Sequence, residues 1–283
     1  MKSKELMLIL SKVAQKTLGD KNTYRLKYFH QRHRFPNLKD PKDLSERLIS
    51  RMFSPDFGEK YAMYADKVAV REYVKEKGLG SILLKHYAVW NKPDEIDLNL
   101  LPNKFILKAN NGSGGHVICR DKDSFNLFEA QETLRESILM GENSIEPHYR
   151  HITPMIFAEE LIDLGEGHLP TDYKFTCING IVRDVFVAVE RSQHAKYCTF
   201  DTDWNPLPYT KDAFLPLELP EKPQRLKEMS KMAEILSKDF DFVRVDFYNV
   251  GDKVFFSELT FTPWGGIMYS YTDEAIKLLG EMF

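Results

Sequence analysis

Glycine turns inside two long apolar stretches constrain this 283-residue chain more than any other feature. Asp172 to Glu190 reads as two strands joined at Asn179-Gly180, since a tight hairpin turn needs residues that tolerate positive φ. Phe242 to Asn249 and Lys253 to Thr260 read as a second hairpin around Gly251. Lys104 to Lys108 and His116 to Arg120 are strands flanking a glycine-rich tip, Ala109-Asn110-Asn111-Gly112-Ser113-Gly114-Gly115. Ile82 to Trp90 and Met155 to Ile162 complete the strands. Helices are expected over Asp66 to Lys77, closed by Gly78 at a C′ position, and over Ser124 to Met140, Pro220 to Phe240 and Thr272 to Met282. Strands joined by hairpins and interspersed with helices indicate an α+β protein with antiparallel or mixed sheets.

The first part, to about Arg51, reads as helical and basic. Leu6-Met7-Leu8-Ile9-Leu10 is too short an apolar run to span a bilayer, and Ser11, Lys12 and Gln15 follow where a signal peptide needs small residues. It reads as an amphipathic helix packed on the body, with contact at a membrane surface as the alternative. The stretch Tyr24 to Arg34 mixes bases and aromatics: either a solvated helix face with its rings turned inward, or a surface for nucleic acid or an anionic sugar. Asp40-Pro41 reads as the N-cap and first residue of a helix through Ser45 to Met52.

A hydrophobic content of 43% supports one large domain or two interlocked ones. The formal charge of -3 argues against an obligate nucleic-acid binder. The three cysteines, Cys119, Cys177 and Cys198, are far apart and include no Cys-x-x-Cys pair, so neither a disulfide framework nor a zinc site is indicated and a reducing cytoplasm is expected.

Four constellations carry chemistry. Backbone N–H groups of Gly112, Ser113, Gly114 and Gly115 can approach a phosphate without Cβ interference, with the ammonium of Lys108 on the strand before them. A strand follows, so this is no Walker loop, and alone it is equally a hairpin turn. Asp246 and Glu258 lie on paired strands among apolar neighbours. Opposed like charges cost stability without a cation, so the pair suits Mg²⁺ bridging nucleotide phosphates, the alternative being two strand acids facing solvent. Glu159-Glu160-Leu161-Ile162 ends a strand and offers backbone groups and a carboxylate to an adenine and ribose, although a plain strand end looks the same. Alternation puts Asp172 and Lys174 on one strand face, where Arg191 could join them to stabilise phosphoryl charge or form a surface salt bridge. His148-x-x-His151 lacks a third ligand and reads as structural.

In this order the pieces resemble the ATP-grasp superfamily. More narrowly the chain resembles its teichuronopeptide-biosynthesis (TupA-like) branch through Asn37 to Lys42, Asp66-Lys67 to Gly78, Asp172-Tyr173-Lys174-Phe175, Arg244 to Tyr248 and Glu258 to Pro263. The resemblance implies two α+β lobes clasping ATP, residues 1–60 as a helical N-terminal region, and residues 61–283 as the ATP-grasp domain with a lid lobe over about 104–160. It implies a ligase that phosphorylates a carboxylate with Mg-ATP and lets an amine attack the acyl phosphate. Lys67 and Lys108 would bind ATP phosphates, with the Gly112–Gly115 loop closing over them. Glu159 to Ile162 would hold the adenine side and Asp172 would also contact nucleotide. Asp246, Glu258 and Thr260 would hold Mg²⁺, Thr260 standing where the superfamily often has Asn. Lys174, Arg191 and Arg244 would stabilise the γ-phosphate and the acyl phosphate. The resemblance further implies, as substrates, uronic acids of cell-surface (capsular) polysaccharide joined to an amino acid or other amine. The competing readings are a glycosyltransferase, against which Asp201-x-Asp203 sits beside Trp204 after a strand with no Rossmann frame, and a non-catalytic nucleotide-binding module.

Overall fold

A computed structural model describes residues 2–112, 114–165, 169–190 and 196–283, with residues 2–14 and Glu190 described by backbone alone. Two antiparallel sheets organise it. The larger runs in the order β7 (Lys196–Phe200), β6 (Ile181–Glu190), β5 (Asp172–Ile178), β8 (Phe242–Val250), β9 (Lys253–Thr260). The smaller runs β1 (His86–Trp90), β4 (Ile156–Glu159), β2 (Phe105–Ala109), β3 (Val117–Cys119). Both glycine-turn hairpins form as the sequence predicts: β5 pairs β6 across Asn179 (φ 53) and Gly180 (φ 75), and β8 pairs β9 across Gly251.

The two faces of the larger sheet differ because strand residues alternate. Phe175, Cys177, Val243 and Val245 belong to one apolar core with Met229, Ala233 and Leu236 of α7 (Leu226–Ser237). The opposite face carries Asp172, Lys174, Arg244 and Asp246, so the polar half of each alternation lines one concave surface. In the smaller sheet, Phe105, Leu107, Ile156 and Ala158 pack against Ala130 and Leu134 of α5 (Leu127–Glu142).

Several boundaries shift for identifiable reasons. The helix expected over Asp66 to Lys77 starts late, as α4 (Val70–Glu76), and a separate helix α3 (Phe57–Ala65) precedes it. Asp66 interrupts them, its Oδ1 accepting from the amides of Val68 (2.8 Å) and Ala69 (3.2 Å). The cap of α2 (Leu44–Met52) is Asp43 rather than Asp40: Asp43 Oδ1 accepts from Glu46 N (2.9 Å), and Glu46 reaches back to the amide of Lys42 (2.9 Å). The strand expected from Ile82 is continuous only from His86, Leu83 making an isolated parallel bridge to Phe256 before it.

The N-terminal helix α1 (Lys2–Arg32), kinked at Gly19, turns Tyr24 and Tyr28 inward as expected, whereas Phe29 stays exposed and stacks on Phe35. Its bases divide. Arg32 is buried against the carbonyls of Ile267, Met268 and Tyr271 and pairs with Asp273 (2.9 Å). Arg34 pairs with Asp43 and Glu46. Both hold the chain together rather than facing a ligand. Among the described residues, no helix is long and apolar enough to cross a membrane.

Candidate active site

Strand register brings the site together. Lys174 on β5 is the cross-strand partner of Asp246 on β8, and Asp246 is the partner of Glu258 on β9. Lys174 Nζ donates to Asp172 (2.6 Å) and Asp246 (2.5 Å). Arg244 grips Asp246 with two parallel hydrogen bonds of 2.7 Å, from Nε and Nη2. The same Nη2 reaches Thr260 Oγ1 (3.2 Å) and lies 3.5 Å from Glu258. Thr260 Oγ1 in turn donates to Glu258 Oε1 (3.1 Å). Burial pushes the Glu258 carboxyl up, but Lys67, Lys174 and Arg244 outweigh it and hold it at about 2. Burial likewise disfavours the Lys174 ammonium, and Asp172 and Asp246 more than restore it.

Lys67 extends this cluster to the glycine loop. Its Nζ is 3.6 Å from Glu258 and donates to the carbonyl of Gly112. The loop begins on Asn110, which donates to Asp66 (3.0 Å) and the Thr153 carbonyl (3.0 Å) and accepts from the Met155 amide (2.7 Å). Asn111 then presses on Gly141 of α5, where a Cβ would collide with its backbone oxygen.

One cavity is lined by the cluster itself, and another lies beside it, next to Tyr248. A narrow one of about 90 Å³ lies between the sheets. Lys108, Glu159, Glu160, Leu161 and Ile162 line it from the small-sheet side, and Tyr248 of β8 from the other. Lys108 Nζ donates to Glu159 (2.5 Å), whose other oxygen is 3.4 Å from His86. Burial raises the Glu159 carboxyl, but Lys108 and His86 prevail and hold it at about 2. The second cavity, about 670 Å³, opens on the other side of Lys174, Arg244 and Glu258. Phe186, Tyr197, Trp264 and Tyr269 give it aromatic walls, and α1 contributes Lys27 and Gln31.

The loop after β9 shapes that second cavity. Trp264 has φ 50 and Gly265 φ 64, and the Tyr24 hydroxyl donates to the Gly265 carbonyl. A Cβ at Gly265 would strike that hydroxyl. Arg244 lies 5.7 Å from the Trp264 ring centroid.

Of the residues singled out from the sequence, Asp172, Lys174, Arg244, Asp246, Glu258 and Thr260 form one cluster. Lys67 and Gly112 adjoin it, and Lys108 with Glu159 to Ile162 line the narrow cavity. Gly114 and Gly115 follow in the loop with φ 81 and 65. Ser113 and Arg191 lie outside the described residues. The donor set fits a small cation with a preference for oxygen: two carboxylates on paired strands and a hydroxyl, leaving most of the coordination shell to phosphate oxygens and water. Among the described residues there is no group of three His, Cys, Asp or Glu that could hold a metal by itself. His148 is fully buried, edge-on to Phe57 (5.4 Å), which makes it a packing residue. Asp201 closes its own turn, accepting from the amides of Asp203 (2.9 Å) and Asn205 (2.8 Å).

Sequence reasoning missed Glu146, Thr262 and Trp264. The Trp264-Gly265-Gly266 run after the acidic hairpin was the available signal, since adjacent glycines mark a backbone that turns tightly. Glu146 carries no local pattern.

The TupA-like ATP-grasp family model matches residues 46–283. Among curated proteins, no sequence match is found. Similar solved structures include the D-alanine-D-alanine ligase of Helicobacter pylori, at 15% identity and TM-score 0.43, covering 78% of this chain and 61% of that one. Others are the ATP complex of D-alanine--D-alanine ligase from Bacillus anthracis, at 16% identity, TM-score 0.43 and coverages of 70% and 55%, and the L-amino acid ligase of Bacillus licheniformis, at 14%, 0.44, 72% and 44%. The chain thus spans less than two thirds of the length of each of these structures.

Proposed function

This chain belongs to the TupA-like ATP-grasp family, and on that premise we propose that it is an ATP-dependent carboxylate–amine ligase. The observation that carries the reading is the row Lys174, Asp246, Glu258: Lys174 and Glu258 line the wide cavity, and the narrow cavity lies beyond Tyr248, the cross-strand partner of Asp172. Such a row suits transfer of a phosphoryl group from a nucleotide on one side to a carboxylate on the other.

In this reading the adenosine end enters the narrow cavity beside Leu161 and Ile162, and Glu159 and Glu160 hold its polar edge. Lys108 and Lys67 neutralise phosphates, and the glycine loop on the small-sheet lobe, residues about 104–160, closes over them. Asp246, Glu258 and Thr260 hold Mg²⁺, which supplies charge neutralisation for the phosphates. Lys174 and Arg244, held beside the site by Asp172 and Asp246, would stabilise the charge that builds on the transferred phosphoryl oxygens once Mg²⁺ takes over part of their share of Asp246. Arg191 is assigned the same role. The aromatic walls of the wide cavity suit the faces of a sugar ring, and Lys27 and Arg244 suit its carboxylate, so a uronic acid of cell-surface polysaccharide is the proposed acid and an amino acid the proposed amine. The reaction is placed in the cytoplasm, where ATP is available.

The test is to incubate the protein with Mg-ATP, uronic acids and a pool of amino acids. Substrate-dependent ADP and phosphate, with an amide by mass spectrometry and loss of both in Glu258→Gln, is the expected result. AMP and pyrophosphate would mean adenylation and refute the acyl-phosphate route.

A further inference from the structure

The wide cavity has a cationic side and one carboxylate that this scheme leaves idle. Glu146 stands just before α6 (Pro147–Arg150) and lines the cavity with Lys27, Tyr149 and Thr262. Thr262 Oγ1 donates to its Oε2. Among the described residues, its other oxygen has no hydrogen-bond donor and no cation lies within ion-pair distance. The acids of the phosphoryl cluster are different: each is already held by lysine or arginine. The charged group facing Glu146 is Lys27 from α1, and the neutral phenols of Tyr24 and Tyr149 are the other titratable groups near it. A half-buried carboxylate with an open oxygen, facing a substrate cavity, is complementary to a cation.

We infer that Glu146 receives the ammonium group of the amine substrate and takes the proton that must leave before the nitrogen can attack. The assignment rests on the ligase reading above. An ammonium R–NH3+ has no lone pair. Transfer of one proton to Glu146 frees the pair on nitrogen, which forms the C–N bond at the acyl phosphate carbon. The C–O bond to phosphate breaks, and phosphate leaves with that electron pair. The second nitrogen proton ends on the departing phosphate, and Glu146 returns its own to solvent. Burial raises the Glu146 carboxyl above its ordinary range, more than Thr262 and Lys27 lower it, which suits a proton acceptor.

Hydroxylamine separates this role from a structural one, because it is uncharged near neutral pH and traps acyl phosphates without needing a base. Wild type and Glu146→Gln are each given Mg-ATP and glucuronate or galacturonate, with either hydroxylamine or an amino-acid mixture. Hydroxamate held within about twofold in the variant, with amide formation down about 100-fold and a raised KM for the amine, is expected. Thr262→Val should show the same split at smaller size, and Glu146→Asp should recover part of the amide. Equal loss of hydroxamate and amide, or loss of neither, would overturn the assignment. Wild type forming neither hydroxamate nor ADP with any acid would overturn the ligase reading itself, and the assignment with it.

Discussion

Asp246 and Glu258 are direct partners across β8 and β9, yet they do not share a cation equally: Arg244 grips Asp246 with two bonds of 2.7 Å and only approaches Glu258 at 3.5 Å. Two acids facing each other at the same rung of a sheet repel. Lys174, Arg244 and Lys67 offset that repulsion from within the protein.

Replacing the two acids should therefore have different structural costs. Asp246 has no solvent-exposed surface, whereas the Glu258 side chain is 30% exposed. Asp246→Asn leaves Lys174 and Arg244 without their counter-charge and should destabilise by about 3–5 kcal/mol. Glu258→Gln should leave the melting temperature much nearer wild type. Both should abolish substrate-dependent ADP release. Thermal melts beside an ADP assay check the pair, and equal melting temperatures would show that Asp246 is not the anchor of the cluster.

Lys108→Met should weaken a non-hydrolysable ATP analogue by about 10- to 100-fold, the range for losing one charge-assisted contact. Calorimetric titration reads it directly. The variant also strips Glu159 of its 2.5 Å partner and leaves it His86 at 3.4 Å. Unchanged nucleotide affinity would place the phosphates elsewhere.

Gly141→Ala touches no proposed ligand but should act on the same equilibrium. Its Cβ would collide with the backbone oxygen of Asn111, one residue before Gly112. The loop must shift or α5 must back away, so nucleotide affinity should fall while binding of a uronic acid stays as in wild type. Ser137→Gly offers the control: it loses one 3.3 Å hydrogen bond to the Gly114 carbonyl but adds no bulk against the loop, so its effect on nucleotide affinity should be smaller.

Stability should depend on pH through Asp184. This carboxyl is fully buried on β6 and accepts from the Tyr271 hydroxyl (3.0 Å). Burial pushes it up to about 7, against Thr176, Tyr271 and Arg244. A folded-state value above the unfolded one means that the native state holds the proton more tightly. The contribution is full below about 4 and is lost as pH rises through 7. Asp184→Asn should thus raise the melting temperature at pH 8.5 by several degrees and change it little at pH 5. A variant equally stabilised at both pH values would show that the carboxyl is ionised throughout.

How much of this was legible in the chain depends on whether the signal was local. Asn179-Gly180 and Gly251 announce their hairpins because a turn is decided by the residues in it, and the β8–β9 hairpin then places Asp246 opposite Glu258 with no further information. Asp66 was misread as the start of a helix because capping by its side chain is indistinguishable in sequence from helix entry. The bases of Tyr24 to Arg34 were read as one surface. Their separation into Arg32 and Arg34, tied inward, and Lys27, facing the cavity, depends on contacts with residues 267–273 and on Asp43 and Glu46, most of them remote in sequence. Glu146 was invisible for the same reason: its partner Thr262 is 116 positions away.

The placement of Lys27 bears on how proteins of this kind diversify. The family pattern starts at residue 46, yet a wall of the wide cavity comes from a helix that precedes it. The strands that carry Lys174, Asp246 and Glu258 and the helix that lines the wide cavity thus lie in separate segments of the chain. On the ligase reading proposed above, substitutions at the exposed turns of α1 would retune which acid is admitted, and two relatives with the same β5, β8 and β9 residues need not share a substrate.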